Sequence, residues 1–453
     1  MEPPDKQPIT VSQDDDDLAD ERQVLLGLAV LGLIGGALVG VLGSAFRWLL
    51  IEGDRTRVDL VGWAKELPLP PVMGILIPVF TAAVCVAIAR AMVVKVPEAS
   101  GSGVQRVEAA MKGQLEPESV RILPVKFIGG VLGISAGMVL GREGPLVQMG
   151  ASIGSKLGRM LGLDRLSSYS MEASLAGAGL AVAFNAPTGG SIFVFEELTK
   201  SFRLRLVIPT LIGTATAITI SRSVLGDKAS FLVGDVTSYS ALAFLGFAIF
   251  GVIVGLLGAF YNLTVVWFMD AFDSIKRIPL LVKAALVGAF IGGIAWFAPN
   301  LVGGGTNITQ QMISASPGLW AVLGILVVRW LLGPLSYSVG TPGGLFAPLL
   351  ALGALCGALF AGSINALSPG SLNVTAFAVV GMSVFFAAVV RAPLTGIVIV
   401  AEMAATTELL VPSLLACAFA VLTTTVMKSE PIYDTLRRRM LEREPGKPAT
   451  KPQ

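Results

Sequence analysis

The sequence predicts an all-α polytopic membrane protein. Of its 453 residues 54% are hydrophobic and only 14% charged, where a soluble domain carries about 25% charged. Mean hydropathy is +0.76, and 52 residues are Gly, a combination that suits closely packed membrane helices rather than disorder. The apolar sequence falls into long runs, several of them short for a bilayer crossing and bounded by Gly or Pro. Together these features exclude a soluble enzyme, a nucleic-acid binder and a disulfide-stapled secreted domain.

The chain opens on residues 1–23, with eight acids (Glu2, Asp5, Asp14, Asp15, Asp16, Asp17, Asp20, Glu21) against two bases (Lys6, Arg22). That local charge of −6 leaves +8 for the rest of a chain whose net charge is +2. A block such as Asp14–Asp17 reads as a solvated, flexible arm. A cleaved secretory signal would start basic and have a short apolar core; this stretch is acidic and the run after it is long, so none is expected.

Apolar runs follow at 24–51, 71–96, 122–140, 145–162, 173–196, 205–225, 241–269, 279–299, 317–338, 345–368, 374–390, 393–403 and 410–427. About 20 apolar residues cross a bilayer as a helix. The longer runs therefore imply tilt. The shorter ones place helix ends at depth, which is tolerated only where protein or a water-filled cavity surrounds the backbone. Such broken helices point to a transporter or channel site. The organisation expected is an arm over 1–23, one transmembrane domain over 24–427 with halves at about 24–225 and 241–427, and a tyrosine-bearing helix start with a basic tail over 428–453.

The halves repeat one another weakly. Gly101-Ser-Gly103 recurs at Gly303-Gly-Gly305, Gly141–Pro145 (GREGP) at Gly340–Gly344 (GTPGG), and Asn185–Gly190 (NAPTGG) with a strip to Glu196 at Arg391–Gly396 (RAPLTG) with a strip to Glu402. The offsets are 202, 199 and 206, which indicates a duplicated half without showing whether it is parallel or inverted. Lys and Arg mark the cytoplasmic side. They concentrate at Lys200, Arg203 and Arg205 and in the tail at Lys428, Arg437, Arg438, Arg439, Arg443, Lys447 and Lys451.

Cys85, Cys356 and Cys417 lie in apolar runs and read as small buried hydrophobes. His is absent, which removes zinc-protease motifs, His-based triads and imidazole relays. No apolar run holds the pair of Asp that an aspartyl intramembrane protease would need. No enzyme, cofactor or metal is therefore expected, and any proton must travel on carboxylates, Tyr, Lys or water.

Four segments place Gly, Pro or a hydroxyl where a helix would start: GSGVQ (101–105), GREGP (141–145), GTPGGLFAP (340–348) and PIY (431–433). A helix N-terminus carries unpaired N–H groups and about half a positive charge. Several converging would hold a dehydrated anion without a full cation, loosely enough for conduction. The plainer alternative is a set of glycine-permitted helix crossings.

These segments, with AFNAPTGGSIFVFEEL (183–198) and RAPLTGIVIVAEM (391–403), resemble the CLC chloride channels and transporters over about residues 24–440. The resemblance implies two inverted-topology halves of tilted, partly broken helices, a homodimer with one anion pathway per subunit, and cytoplasmic termini. It implies a secondary antiporter exchanging chloride for protons in a bacterial-type inner membrane, or alternatively a passive voltage- or pH-gated chloride channel of the same fold. Many relatives add cytoplasmic nucleotide-binding regulatory domains; the roughly 25 residues after the last apolar run leave no room for them. The partners implied are chloride, protons, the lipid bilayer and a second subunit, with no nucleic acid.

Carried onto this chain, the resemblance implies that the anion meets the hydroxyls of Ser102 and Tyr433 and the backbone N–H groups of Leu345 and Phe346. Glu143 is then the external gate and proton site, the alternative being an ion pair with Arg142. Of Glu196 and Glu197, each at the end of an apolar strip, one reads as a solvated helix end. The family pattern selects Glu197 as internal proton acceptor, where channel relatives usually carry an uncharged residue. Glu108 either supports charge on the proton route or makes a surface ion pair. Gln105 and Arg106 depart from the family's usual Pro and acid, putting the proton's inner access in question. Ser102 itself argues for chloride over nitrate or fluoride, since nitrate-selective relatives carry Pro there and fluoride exporters also depart from Ser.

Overall fold

The computed structural model describes residues 12–443 apart from 69, 235, 237–240 and 316. Of the arm expected over 1–23, residues 1–11 lie outside the described residues, as does the tail from 444 with Lys447 and Lys451, whereas 12–23 form the first turns of a helix and not an irregular arm. The described chain is helical, and its one β feature is a single antiparallel bridge between Gly141 and Gly344. The helices are α1 Ser12–Glu66, α2 Pro71–Gly74, α3 Leu76–Lys95, α4 Val104–Met111, α5 Ile122–Ser135, α6 Glu143–Met160, α7 Arg165–Phe184, α8 Pro187–Phe193, α9 Leu204–Leu225, α10 Ala241–Ser274, α11 Leu280–Phe297, α12 Thr306–Ser314, α13 Leu319–Ser338, α14 Phe346–Leu367, α15 Val374–Val390, α16 Pro393–Ala404, α17 Leu410–Val426 and α18 Ile432–Arg443.

Seven of the described helices are long and apolar enough to cross a membrane: α1, α3 (with α2), α9, α10, α11, α13 and α14. Their outward faces carry exposed Leu, Val, Ile, Phe and Trp, as lipid contact requires. Helix α1 outruns its apolar segment at 24–51 because Arg55–Glu52 and Arg57–Asp54 ion pairs, at i,i+3 spacing, support a further polar stretch. The core is α7 and α15, almost wholly buried. Gly lets their neighbours approach backbone to backbone. A Cβ at Gly150 would strike the Leu175 carbonyl, and one at Gly357 the Phe377 carbonyl, packing α6 on α7 and α14 on α15.

The halves pair in the same pattern. Helix α1 packs on α9 and α7 as α10 packs on α17 and α15, and α4 packs on α6 as α12 packs on α14. Their relation is inverted, because each half reciprocates the other's contacts. Gly141 N–H donates to Gly344 O at 2.7 Å, and Gly344 N–H to Gly141 O at 2.8 Å. Glu196, after α8, accepts from the N–H groups of Leu394 (3.0 Å) and Thr395 (2.7 Å) at the start of α16. Glu402, in α16, accepts from Thr188 (3.0 Å) and Gly189 (2.8 Å) at the start of α8. Two antiparallel helices thus cap one another.

Two sequence readings change. Glu196 is no solvated helix end: it is the cap of α16, and its pairing with Glu402 by sequence offset becomes a physical pairing. The helix starts correspond as Gly141 with Gly344, not with Gly340, because the reciprocal bridge sets the register. Loss of a cap carboxylate typically costs about 1–2 kcal/mol. Glu196→Ala and Glu402→Ala should each lower the thermal midpoint of the detergent-solubilised protein, and an unchanged melt in both would show that the caps do not stabilise the fold.

Candidate functional site

Short helices start inside the protein and bring their N-termini together. Gly103, in left-handed conformation at φ 88°, opens α4, and Gly305 at φ 97° opens α12 in the other half. Gly144, in the first turn of α6, lies so close to the first loop that a Cβ there would overlap the Ser102 hydroxyl. A Cβ on Gly344, just before α14, would lie 3.4 Å from the same hydroxyl. The loop before α4 and the starts of α6 and α14 therefore meet at Ser102.

Five of the expected residues come together there. Ser102, Leu345, Phe346 and Tyr433 are fully buried, and Glu143 is 1% exposed. The Ser102 and Tyr433 hydroxyls have no hydrogen-bond partner, which for buried polar atoms requires an explanation. The α14 start has no side-chain cap, so its first N–H groups, those of Leu345 and Phe346 among them, lack an intrahelical acceptor. Phe346 holds the site from the apolar side, its ring 5.8 Å from that of Tyr433 and 4.7 Å from Phe386.

Glu143 is the first residue of α6, and its carboxylate reaches across to α14, where Ala347 N–H donates to Oε2 at 3.4 Å. A negative group is stabilised between two helix N-termini. The expected alternative, an ion pair with Arg142, is absent: the Arg142 guanidinium Nε donates to Ala183 O at 3.0 Å instead. Glu143 forms the floor of a cavity of about 580 Å³ whose lining includes Arg47, Arg57, Arg142 and Lys228.

Glu197 lies apart from this group. It sits in a π turn, Val194–Leu198, and is 7% exposed. Such wide turns recur at functional sites. Here the turn sends Glu196 to α16 and leaves Glu197 among the charges of Glu108, Lys200 and Asp434. Glu108 is not a surface residue. It is 1% exposed, accepts from Lys112 Nζ at 2.6 Å and from Arg437 of α18, and its Oε2 is unpartnered. Burial pushes the Asp434 carboxyl up, but Arg437 and Lys112 outweigh it and hold it below the usual carboxylate range. Arg106 in turn has Glu118 within 3.5 Å, a carboxylate that offsets the base at this position.

Two cations escaped the sequence reading. Lys126 in α5 is fully buried and donates to Gly101 O at 2.7 Å and Ser102 O at 3.2 Å. Its counterpart Arg329 in α13 donates to Gly303 O, Gly304 O and Leu301 O. A lone base inside an apolar run, as in ILPVKFIGG and GILVVRWLLG, was the available signal. Each gathers the carbonyls of one glycine loop around a cation. Among the described residues no cluster of His, Cys, Asp or Glu could hold a metal ion.

Residues 82–425 match the family described as voltage gated chloride channel. The chain is 32% identical over 428 residues to the H(+)/Cl(-) exchange transporter ClcA of Vibrio parahaemolyticus, covering 92% of this chain and 90% of that protein. It is 33% identical over 450 residues to the protein of the same name in Yersinia pestis, covering 96% and 92%. Among solved structures it resembles a slow cyanobacterial Cl-/H+ antiporter with TM-score 0.87 and 30% identity, over 92% of this chain and 98% of that one. A eukaryotic CLC transporter shares the fold with TM-score 0.78 at 20% identity, over 92% and 74%.

Lys126→Met keeps the length of the side chain but leaves the Ser102 carbonyl without its donor and Gly101 O with the Gly343 N–H alone, a loss of about 1–3 kcal/mol. A lowered thermal midpoint is expected for Lys126→Met and for Arg329→Met. Midpoints equal to the wild type would mean that the cations do not hold the loops.

Proposed function

The chain belongs to the voltage gated chloride channel family, and from that premise we propose that it exchanges chloride for protons across a membrane through an anion pathway gated by Glu143. The observation that carries the reading is the placement of the Glu143 carboxylate. It occupies the space between the starts of α6 and α14, beside two buried hydroxyls that have no partner. A carboxylate and a chloride ion carry the same charge, so they compete for one electropositive position. Protonation neutralises Glu143 and releases that position to chloride. A proton from outside and an anion are then coupled at one point.

Chloride is held by the hydroxyls of Ser102 and Tyr433 and by the N–H groups of Leu345 and Phe346. These are dipoles rather than a full charge, which keeps release fast. The inner half of the route divides. Glu197, buried but reachable beside Lys200, takes the proton from the cytoplasmic side, while the anion passes Ser102 and Tyr433. Glu108, neutralised by Lys112 and Arg437, shapes the field around Glu197. The names of the relatives support exchange rather than passive conduction, and so does a titratable group at Glu197.

The protein works as a homodimer with one pathway in each subunit, and 24–427 is one transmembrane domain. Its setting is a bacterial inner membrane with both termini cytoplasmic. Lys200, Arg203 and Arg205 support that orientation, together with the Arg residues of α18.

Three substitutions test the reading in liposomes with an imposed chloride gradient. Glu143→Gln mimics the protonated gate. Chloride flux should persist while uphill proton movement falls to the leak of empty liposomes, and coupling at the wild-type ratio would refute the gate. Glu197→Gln should also stop proton movement with chloride still crossing; joint loss of flux and stability would make Glu197 structural instead. Ser102→Pro should shift selectivity toward nitrate, and an unchanged chloride-to-nitrate preference in anion-replacement potentials would remove Ser102 from the anion site.

A further inference from the structure

At the face where α1, α7 and α9 begin, a second cavity of about 740 Å³ opens. It lies on the opposite side of the molecule from the Glu143 cavity. Helix α1 lines the second cavity with Glu21 and the first from Arg47 onward. Those 26 residues of helix measure about 39 Å, more than the roughly 30 Å of a hydrocarbon core. The lining includes Arg165, Arg203 and Arg205, with the hydroxyl residues Ser201 and Tyr169.

Three features make it a site for an anion. None of the three guanidinium groups has a hydrogen bond or ion pair among the described residues; Arg165 and Arg203 are exposed, and Arg205 stands near enough to Asp164 to feel its charge. The nearby acid Asp164 is occupied in capping α7, accepting from Leu166 N–H at 3.1 Å and Ser167 N–H at 3.3 Å, and among the described residues Glu21 is the one acid in the lining. Helix α9 has no such cap. Its N-cap is Arg203, which offers no acceptor, so the N–H groups of Leu204 and Arg205 stay free at the cavity wall. Uncapped N–H groups beside unpaired guanidinium groups match the geometry of phosphate recognition.

The third feature is position. The α9 membrane span starts at Leu204, and Phe202 (72% exposed) and Leu204 (62% exposed) flank the basic residues. Apolar side chains beside a basic pocket at a span's end suit the headgroup region of an anionic leaflet. The volume falls within the range of ligand pockets.

We propose that this pocket binds a phosphate group, carried by an anionic phospholipid or by a soluble phosphate. The proposal does not rest on the transport reading, since none of these side chains touches the anion or proton residues. The test uses the full chain in phosphatidylcholine nanodiscs, with titration calorimetry of water-soluble dihexanoyl phosphatidic acid, dihexanoyl phosphatidylcholine and inorganic pyrophosphate. The triple variant Arg165→Gln, Arg203→Gln, Arg205→Gln should bind phosphatidic acid about 100-fold more weakly than the wild type, at roughly fivefold per arginine.

Loss confined to phosphatidic acid identifies the lipid as the source. Loss for pyrophosphate as well, or alone, identifies soluble phosphate. Equal binding of both probes by wild type and variant overturns the proposal. So does binding that is absent in the wild type and appears only in a variant with Asp14, Asp15, Asp16 and Asp17 changed to Asn, which would assign the pocket to the chain's own acidic stretch. Arg203→Glu, at one exposed position, reads out the same way if the triple variant does not fold.

Discussion

A helix that starts inside hydrocarbon leaves up to four N–H groups with no water to accept them, and the way this protein satisfies those groups determines its architecture. At α8 and α16 the acceptors are carboxylates from the other half, Glu402 and Glu196. Before α6 and α14 the strands leading in bond to one another through Gly141 and Gly344. At the start of α14 one N–H goes to Glu143 and those of Leu345 and Phe346 remain. The same requirement that makes the halves interlock also sets the Glu143 carboxylate against the start of α14.

The glycine loops pose the complementary problem, because a loop that presents N–H groups to one side presents carbonyls to the other. Lys126 and Arg329 answer it, each fully buried against the carbonyls of one loop. A buried cation is costly unless it is hydrogen-bonded, and here the bonds are to backbone rather than to a carboxylate. Lys126 thereby meets Ser102 at its carbonyl and not at its hydroxyl. In the proposed pathway dipoles then face the anion while full charge stays behind them, an arrangement that attracts an anion without trapping it.

Adjacent carboxylates are separated by backbone geometry. Glu196 and Glu197 are neighbours in sequence, yet one closes a helix start and the other stands among Glu108, Lys200 and Asp434. The π turn at Val194–Leu198 produces the divergence. Helix α18 then reaches both groups of residues, since it carries Tyr433 to the hydroxyl pair and Arg437 to Glu108.

Composition and run length by themselves determined the all-helical membrane class, because about 20 apolar residues have no stable alternative to a spanning helix. The repeat of motifs showed the duplication, and GSGVQ, GREGP and GTPGGLFAP marked the helix starts. Sequence could not orient the halves, since offsets of 202, 199 and 206 fit parallel and inverted copies alike; the reciprocal Glu196 and Glu402 caps decide it. Nor could it separate a capping Glu196 from a free Glu197, or tell that Glu108 is buried in an ion pair and not exposed. Lys126 and Arg329 were visible as letters, but their partners are carbonyls 24 to 28 residues away. Backbone carbonyls carry no residue identity, so only the tertiary structure brings such a pairing to light.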